Sequence, residues 1–378
     1  MGSARIVIGG DTYFGEFYQS RRDQAGKTNY LQSRGYGYCL ESILPLLRPA
    51  DCVAVNLECA LTEQSRSKLE GKKSWILAGD PDRTIAALKE ANVSVAMLGN
   101  NHAKDYGEPA LLETIEHLKA GAITPIGAGL NHSEAQRPFT CSLNVGEGEF
   151  KLAIISAFHF NEFHEGLDFY AERNRCGVNR IDTRVIGEQI SKLKRDGYFV
   201  IISPHWGQNY FLRNYGQTTL AKGLIEGGAD LIVGHGPHML NEFLHQEGVW
   251  VIYSLGNLVF NSEGEYAARQ VLPYSLIMEL VVEQNVIDYG IMMNLYPIVS
   301  CNKITEFQPR FVSERQFDQV TAALRALQYD PCNFDKCVAR RTVDGRFCFS
   351  SQIVTPSVRS LDRPGPSANN AYSPAGFA

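Results

Sequence analysis

From residue 5 to about residue 260, short β-rich runs alternate with helical stretches, and several of the runs end in a side chain of the metal-ligand type. That alternation is the signature of a layered α/β fold, with helices covering the faces of a largely parallel sheet. Candidate strands lie at 5–8, 52–56, 93–98, 122–126, 150–156, 199–203, 231–233 and 249–254. Helices are expected at 81–91, where Pro81 suits a first-turn position, and at 108–120, 186–196 and 220–227 on apolar spacing. Beyond residue 265, runs 272–282 and 284–297 alternate as a hairpin pair would, and 315–328 reads as an amphipathic helix. The expected organisation is a main α/β domain over 1–265, strands and a helix over 266–354 that complete or cap it, and a disordered tail over 355–378.

Composition narrows the partners. With 44% hydrophobic and 20% charged residues, the chain has the makings of a buried core rather than of a disordered one. A net charge of −5 and the lack of any Lys/Arg block argue against nucleic acid, which needs a clustered basic face. No run approaches the roughly 18–20 apolar residues of a membrane span. Met1 to Gly10 offers only Ile6-Val7-Ile8 where a secretory signal needs a longer apolar core. The nine cysteines are odd in number and scattered, as reduced core thiols are, and Cys332 and Cys337 have no second pair or nearby histidine to complete a zinc site. A cytoplasmic location is therefore expected.

The chemistry collects just past the strands. Asp11 follows Ile6-Val7-Ile8-Gly9-Gly10, Glu58 follows Val53-Ala54-Val55-Asn56-Leu57, and Asn101 and His102 follow Val95-Ala96-Met97-Leu98. His205 follows Val200-Ile201-Ile202-Ser203-Pro204, and His235 and His238 follow Leu231-Ile232-Val233-Gly234. Ligands of α/β sheets bind beyond the carboxyl ends of the strands, so these groups are delivered to one rim. Singly, each is a turn former or a core histidine; six in this order are not. Two carboxylates, a carboxamide and three imidazoles make a mixed O/N set without thiolate, which suits one or two divalent ions of Mn, Fe or Zn. Glu58 is of a type that bridges two ions. His102 is the natural general acid, with Asp105 to fix its tautomer, although Asp105 also stands where it would cap the helix starting near Glu108.

The ordered series Gly10-Asp11, Asn56-Leu57-Glu58, Gly99-Asn100-Asn101-His102 with Asp105 and Gly107, His205-Trp206-Gly207, Gly234-His235-Gly236-Pro237-His238 and Tyr253-Ser254-Leu255-Gly256-Asn257 resembles the CapA family over roughly residues 5–260. These are the proteins named for poly-γ-glutamate capsule synthesis, and they look like relatives of the calcineurin-type metallophosphoesterases. The resemblance implies a four-layer αββα sandwich with a metal site at the strand C-terminal edge. It implies one ion on Asp11, Glu58 and His238 and a second on Glu58, Asn101, His205 and His235, with His102 as proton donor and Asp105 orienting it. In the metallophosphoesterases the first strand ends Asp-x-His, whereas this chain has Asp11-Thr12-Tyr13, so the first site is one ligand short and a one-metal enzyme stays open.

Substrate groups are less sharply marked. Asn100 and Asn257 lie where they would line the pocket, and Lys72, Lys73, Arg137, Arg180 and Arg213 are candidates to hold carboxylate or phosphate. His159 and His164 flank an aromatic run that frames either an active-site loop or only its packing. The expected activity is metal-dependent hydrolysis of a γ-glutamyl or peptide-like amide, a small molecule or a γ-glutamyl polymer, in biosynthesis. A phosphoesterase acting on a small ester, a non-catalytic component binding a polyanion or a partner, and an amide-forming or transfer enzyme are the alternatives. Oligomeric state is not encoded legibly.

Overall fold

Strands that are apolar along almost their whole length, such as Cys52–Leu57 and Leu231–Val233, are buried at every position, as strands covered on both faces must be. The computed structural model describes residues 2–285 and 288–353, so the tail expected over 355–378 lies outside the described residues. The main strands fall into two sheets. In the ten-stranded sheet, Ser3–Tyr13 runs parallel to Cys52–Leu57, which pairs with Val95–Met97 and, beyond it, Thr124–Ile126. On its other side Ser3–Tyr13 pairs antiparallel with Tyr274–Gln284, followed by Tyr289–Val299 and Phe347–Ile353. The six-stranded sheet carries Gly148–Phe158, Phe199–His205, Leu231–Val233 and Val249–Ile252 as four parallel central strands, edged by Phe139–Val145 and Phe243–Gln246.

Strand alternation sorts the core. Ile6 and Ile8 join one cluster with Ile154, Ile201, Leu231 and Trp250 of the other sheet, so the two sheets face each other. Val7, pointing the opposite way, joins Val53 and Val55 with Leu88 of helix Pro81–Glu90 and Leu111 of helix Gly107–Ala120. A third cluster seats Ile186 and Ile190 of helix Thr183–Arg195 and Leu224 of helix Tyr215–Glu226 on Val200 and Ile202. Each such fully buried aliphatic side chain contributes roughly 1.5–3 kcal/mol. Among the described residues no helix is long and apolar enough to cross a membrane.

Two differences from the sequence expectation have local causes. The helix expected from Leu220 begins at Tyr215, because Asn214 and Gln217 form a reciprocal capping box upstream of the apolar spacing. The first strand does not stop at Ile8 but continues to Tyr13 through an irregularity in register between Gly9 and Asp11. Glycine makes that passage possible: a Cβ on Gly10 would lie 1.9 Å from the Gly256 carbonyl oxygen. Asp11 N–H donates to the same oxygen at 2.9 Å. Irregularities of this kind re-aim a side chain at a sheet rim.

Candidate metal centre

Parallel strands from both sheets bring their carboxyl ends to one rim. Asp11 stands in the irregular end of Ser3–Tyr13, Glu58 directly follows Cys52–Leu57, and Asn101 lies in the turn after Val95–Met97. From the facing sheet, His205 closes Phe199–His205 and pairs through its backbone with His235. His238 follows in a turn at φ 57°, a left-handed conformation that costs a non-glycine residue roughly 1–2 kcal/mol and is held only by its surroundings. Asp11, Glu58, His205, His235 and His238 are all buried, and Asn101 is half-buried.

Glu58 lies at the middle of the group. Its Oε1 is 3.7 Å from His205 Nε2, 3.8 Å from His238 Nε2 and 3.9 Å from His102 Nε2. Asp11 Oδ2 is 3.0 Å from His238 Nδ1, and its Oδ1 is 3.7 Å from His235 Nδ1. Most of these separations are too long for hydrogen bonds. They match the roughly 3–4 Å between two ligands that share one ion through bonds of about 2.0–2.2 Å. Ligand-type atoms of Asp11, Glu58 and His238 all fall within 4.8 Å of one another, the one such group of three or more His, Cys, Asp or Glu among the described residues. Cys332 and Cys337 form no such group, and all nine cysteines are free. The strongest sign of a cation is what is unpaired: both carboxylate oxygens of Glu58, both ring nitrogens of His235 and Oδ1 of Asn101 are buried without a hydrogen-bond partner. Buried polar atoms are otherwise almost always satisfied. The donor set therefore fits a divalent ion.

Support around these groups is dense. Asn257 Oδ1 accepts from His238 Nδ1 at 2.9 Å, leaving Nε2 toward Glu58, and Asn257 Nδ2 donates to Tyr266 Oη at 3.0 Å. Asn56 Nδ2 donates to Asp11 Oδ1 at 2.8 Å and lies 3.2 Å from His205 Nδ1. Partners of this kind fix the orientation of a metal ligand. Tyr13 donates its hydroxyl to the Ala78 carbonyl at 3.2 Å and accepts from Phe17 N–H at 3.0 Å. Burial, with Glu16 beside it, raises the Tyr13 phenol well above its usual range, so it stays a phenol.

Charge is divided unevenly. Burial drives the Glu58 carboxyl well above its ordinary 4.5, and the Asp11 charge adds to this. Burial acts the same way on Asp11, but the hydrogen bond and charge of His238 outweigh it and hold Asp11 low. Burial alone would lower His238, yet the facing carboxylates of Glu58 and Asp11 raise it to about 9. Burial takes His235 down to about 4 and His205 well below 6.5. Without a cation His238 thus carries a proton at neutral pH and burial favours the neutral form of Glu58; a divalent ion would relieve both.

Beside the cluster, His102 Nδ1 is 2.6 Å from Asp105 Oδ2, which also accepts from Leu77 N–H at 2.8 Å. Lys73 Nζ pairs with the other Asp105 oxygen. Asp105 caps nothing: helix Gly107–Ala120 has no side-chain cap, and its N-cap residue is Tyr106. Burial, then Lys73, lowers His102 to about 4 against the pull of Asp105. His102 is therefore neutral at pH 7, with Nδ1–H on Asp105 and Nε2 toward Glu58.

A cavity of about 390 Å³ opens over Asn101 and His205, bounded by His159, His164, Gln208 and Arg269 among others. The expected substrate groups divide around it. Asn100 is fully buried and spends its carboxamide on the backbone, donating to the Leu57 carbonyl of the neighbouring strand at 2.8 Å and accepting from His102 N–H and Ala103 N–H of its own turn at 3.0 Å each. Asn257 supports His238 instead of facing the cavity, and Arg213 is turned to Glu242 and Thr218, at 2.9 and 2.7 Å. Lys73 likewise faces inward. Lys73, expected to hold substrate, pairs with Asp105 and the Asn101 carbonyl, and Asn56 and Arg269 carry parts of the site that sequence reasoning did not assign. For Asn56 there was a signal, a lone carboxamide inside the apolar run Val53–Leu57; Arg269 had none.

The family described as bacterial capsule synthesis protein PGA_cap matches residues 5–262, about two thirds of the chain. The PGA biosynthesis protein CapA of Bacillus subtilis (strain 168) is 30% identical over 253 residues, covering 67% of this chain and 62% of that protein. The capsule biosynthesis protein CapA of Bacillus anthracis is 30% identical over 233 residues, covering 60% and 54%. The chain thus spans a little over half the length of the relatives it matches. Among solved structures, TT1561 of Thermus thermophilus is similar at 12% identity and a TM-score of 0.38, over 73% of this chain and 93% of that one.

Proposed function

The chain belongs to the bacterial capsule synthesis protein family PGA_cap, and from that premise we propose that it is a metal-dependent hydrolase of a γ-glutamyl or other peptide-like amide, or of poly-γ-glutamate, in biosynthesis. The observation that carries this reading is Glu58: a buried carboxyl with both oxygens unpaired, between the imidazoles of His205 and His238 and beside the His102–Asp105 pair. For the fold we propose a four-layer αββα sandwich of metallophosphoesterase type, supported by the three core clusters, with residues 266–354 completing it. Free cysteines throughout support a cytoplasmic setting.

Asp11, Glu58 and His238 would hold one ion, and Glu58, Asn101, His205 and His235 a second, of the Mn, Fe or Zn kind. Such an ion supplies Lewis acidity and lowers the pKa of water toward neutrality. The chain's own residues do the rest. Asn56 and Asn257 hold Asp11 and His238 in place. His102, neutral with Nε2 free, takes the proton of the attacking water and hands it to the leaving amine, while Asp105 fixes its tautomer and steadies the imidazolium. The outer cavity favours an amide over a dianionic phosphate ester. Its carboxamides Asn161, Gln208 and Asn209 suit a peptide-like chain, and its guanidinium, Arg269, is already paired with Glu265 at 2.8 Å.

The test is metal content by elemental mass spectrometry on protein purified without chelator, followed by parallel assays on γ-glutamyl amides and phosphate esters. Asn101→Ala is expected to lose metal and activity together. His102→Ala is expected to keep metal and lose activity by roughly 10²–10⁴-fold. Protein that takes up no Mn, Fe or Zn on reconstitution overturns the reading, as does full turnover by the His102 variant.

A further inference from the structure

We propose that Lys73 is a positioning residue that locks the Asn101 turn and the His102–Asp105 pair into one rigid unit. The inference rests on Asn101 being a metal ligand and His102 the proton carrier. Lys73 belongs to the stretch between strands Ala60–Leu61 and Ala78–Gly79, which passes over the pair without regular structure. Its side chain is only 8% exposed. An ammonium has three donors and no acceptor. One pairs with Asp105 Oδ1, one donates to the Asn101 carbonyl at 2.5 Å, and the ammonium lies 5.3 Å from the Phe169 ring centroid, within cation–π range. Two of the three donors are thereby committed to the Asn101–Asp105 turn, and at this exposure the ammonium is turned away from solvent.

The geometry explains why one cation is needed at this point. Asn101 O and the Asp105 carboxylate stand at the two ends of a five-residue turn that also carries His102, and Lys73 Nζ is 3.3 Å from His102 Nδ1. Asp105 Oδ2 is meanwhile held by Leu77 N–H and His102 Nδ1. With the ammonium gone, the Asp105 carboxylate is free to rotate about its remaining contacts, and the peptide of Asn101 loses its tether. The Asn101 carboxamide and the His102 tautomer should then loosen together.

The experiment compares Lys73→Met with the unaltered chain, first with Mn²⁺ alone as probe and then in turnover of a γ-glutamyl amide. Calorimetric titration is expected to show Mn²⁺ affinity reduced ten- to a hundredfold, the range seen when a partner of a metal ligand is removed. Nitrogen-15 correlation spectra are expected to show His102 passing from the Nδ1–H tautomer to a mixture. In turnover, kcat should fall with KM within about twofold. Wild-type Mn²⁺ affinity with a wild-type tautomer would overturn the proposal, and so would a KM raised tenfold at unchanged kcat, which would make Lys73 a substrate contact. To separate positioning from misfolding, Lys73→Cys is alkylated with 2-bromoethylamine, which rebuilds an ammonium at nearly the lysine length; wild-type protein treated alike is the control. Recovered Mn²⁺ affinity supports the proposal, and alkylated protein that stays at the level of the methionine variant overturns it. If the unaltered chain binds no Mn²⁺, the metal reading fails by itself and the His102 tautomer decides on Lys73.

Discussion

Replacing Glu58 with glutamine should change sign between the metal-free and the metal-loaded protein. The substitution keeps the shape and removes the charge from a carboxylate that has no hydrogen-bond partner on either oxygen. In the metal-free protein, burial raises the Glu58 carboxyl well above 4.5, so the native state holds a proton that the unfolded chain releases. The stability tied to that proton is complete below pH 4.5 and is lost as pH rises through the raised native value. Glutamine carries no such linkage, so in EDTA the variant should equal the wild type near pH 4 and become the more stable protein as pH rises. With metal the order reverses. An ion at 1,000 times its Kd stabilises the native state by about 4 kcal/mol. If losing the central carboxylate weakens affinity on the order of a hundredfold, the ion stands at only about ten times its Kd and contributes roughly 1.4 kcal/mol. Urea unfolding followed by fluorescence of the buried Trp206 and Trp250, in EDTA and in saturating Mn²⁺ between pH 4 and 8, measures both arms. A variant that keeps the full metal-induced gain would remove Glu58 from the ligand set. One that is destabilised by 2 kcal/mol or more in EDTA at pH 8 would mean that its carboxylate is paired after all.

Metal uptake should release protons, because His238 at about 9 is protonated in the metal-free cluster and burial raises the Glu58 carboxyl beside it; calorimetry at pH 7.5 in buffers of different ionisation enthalpy should show proton release on binding, and none would refute that charge assignment. Glu16, which accepts from Tyr36 Oη and Asp80 N–H at 3.0 Å each, is pushed by burial from 4.5 to about 7. Its contribution is present below pH 4.5 and fades as pH rises to 7, by about 3 kcal/mol at 1.36 kcal/mol per unit; Glu16→Gln should flatten this part of the stability profile, and an unchanged profile would refute it. Gly10→Ala places a Cβ 1.9 Å from a backbone oxygen and should cost several kcal/mol or prevent folding, together with loss of metal, as read by thermal melts and metal content.

How much of this was legible in the sequence depended on distance along the chain. Strands announced themselves by apolar runs, and a polar residue within a few places past such a run arrives at a sheet's carboxyl edge; Asp11, Glu58, Asn101, His205, His235 and His238 could therefore be named in advance as residues of the rim. The reciprocal cap that starts a helix at Tyr215 was equally local, and was overlooked only because apolar spacing begins at Leu220. What no stretch of sequence encodes is which atoms face one another once two sheets pack. Asp11 meets the backbone N–H of Gly236, 225 positions away, and Asn56 reaches His205 across 149. By the same packing Asn100 turned inward, Arg213 found Glu242, Asn257 became the support of His238, and Lys73 lost its access to solvent. The chain alone thus determined the chemical inventory of the rim, because residue type and strand period are short-range properties. Only the tertiary structure decided which members face a common point unpaired, because burial and partner choice are set by contacts between segments hundreds of residues apart.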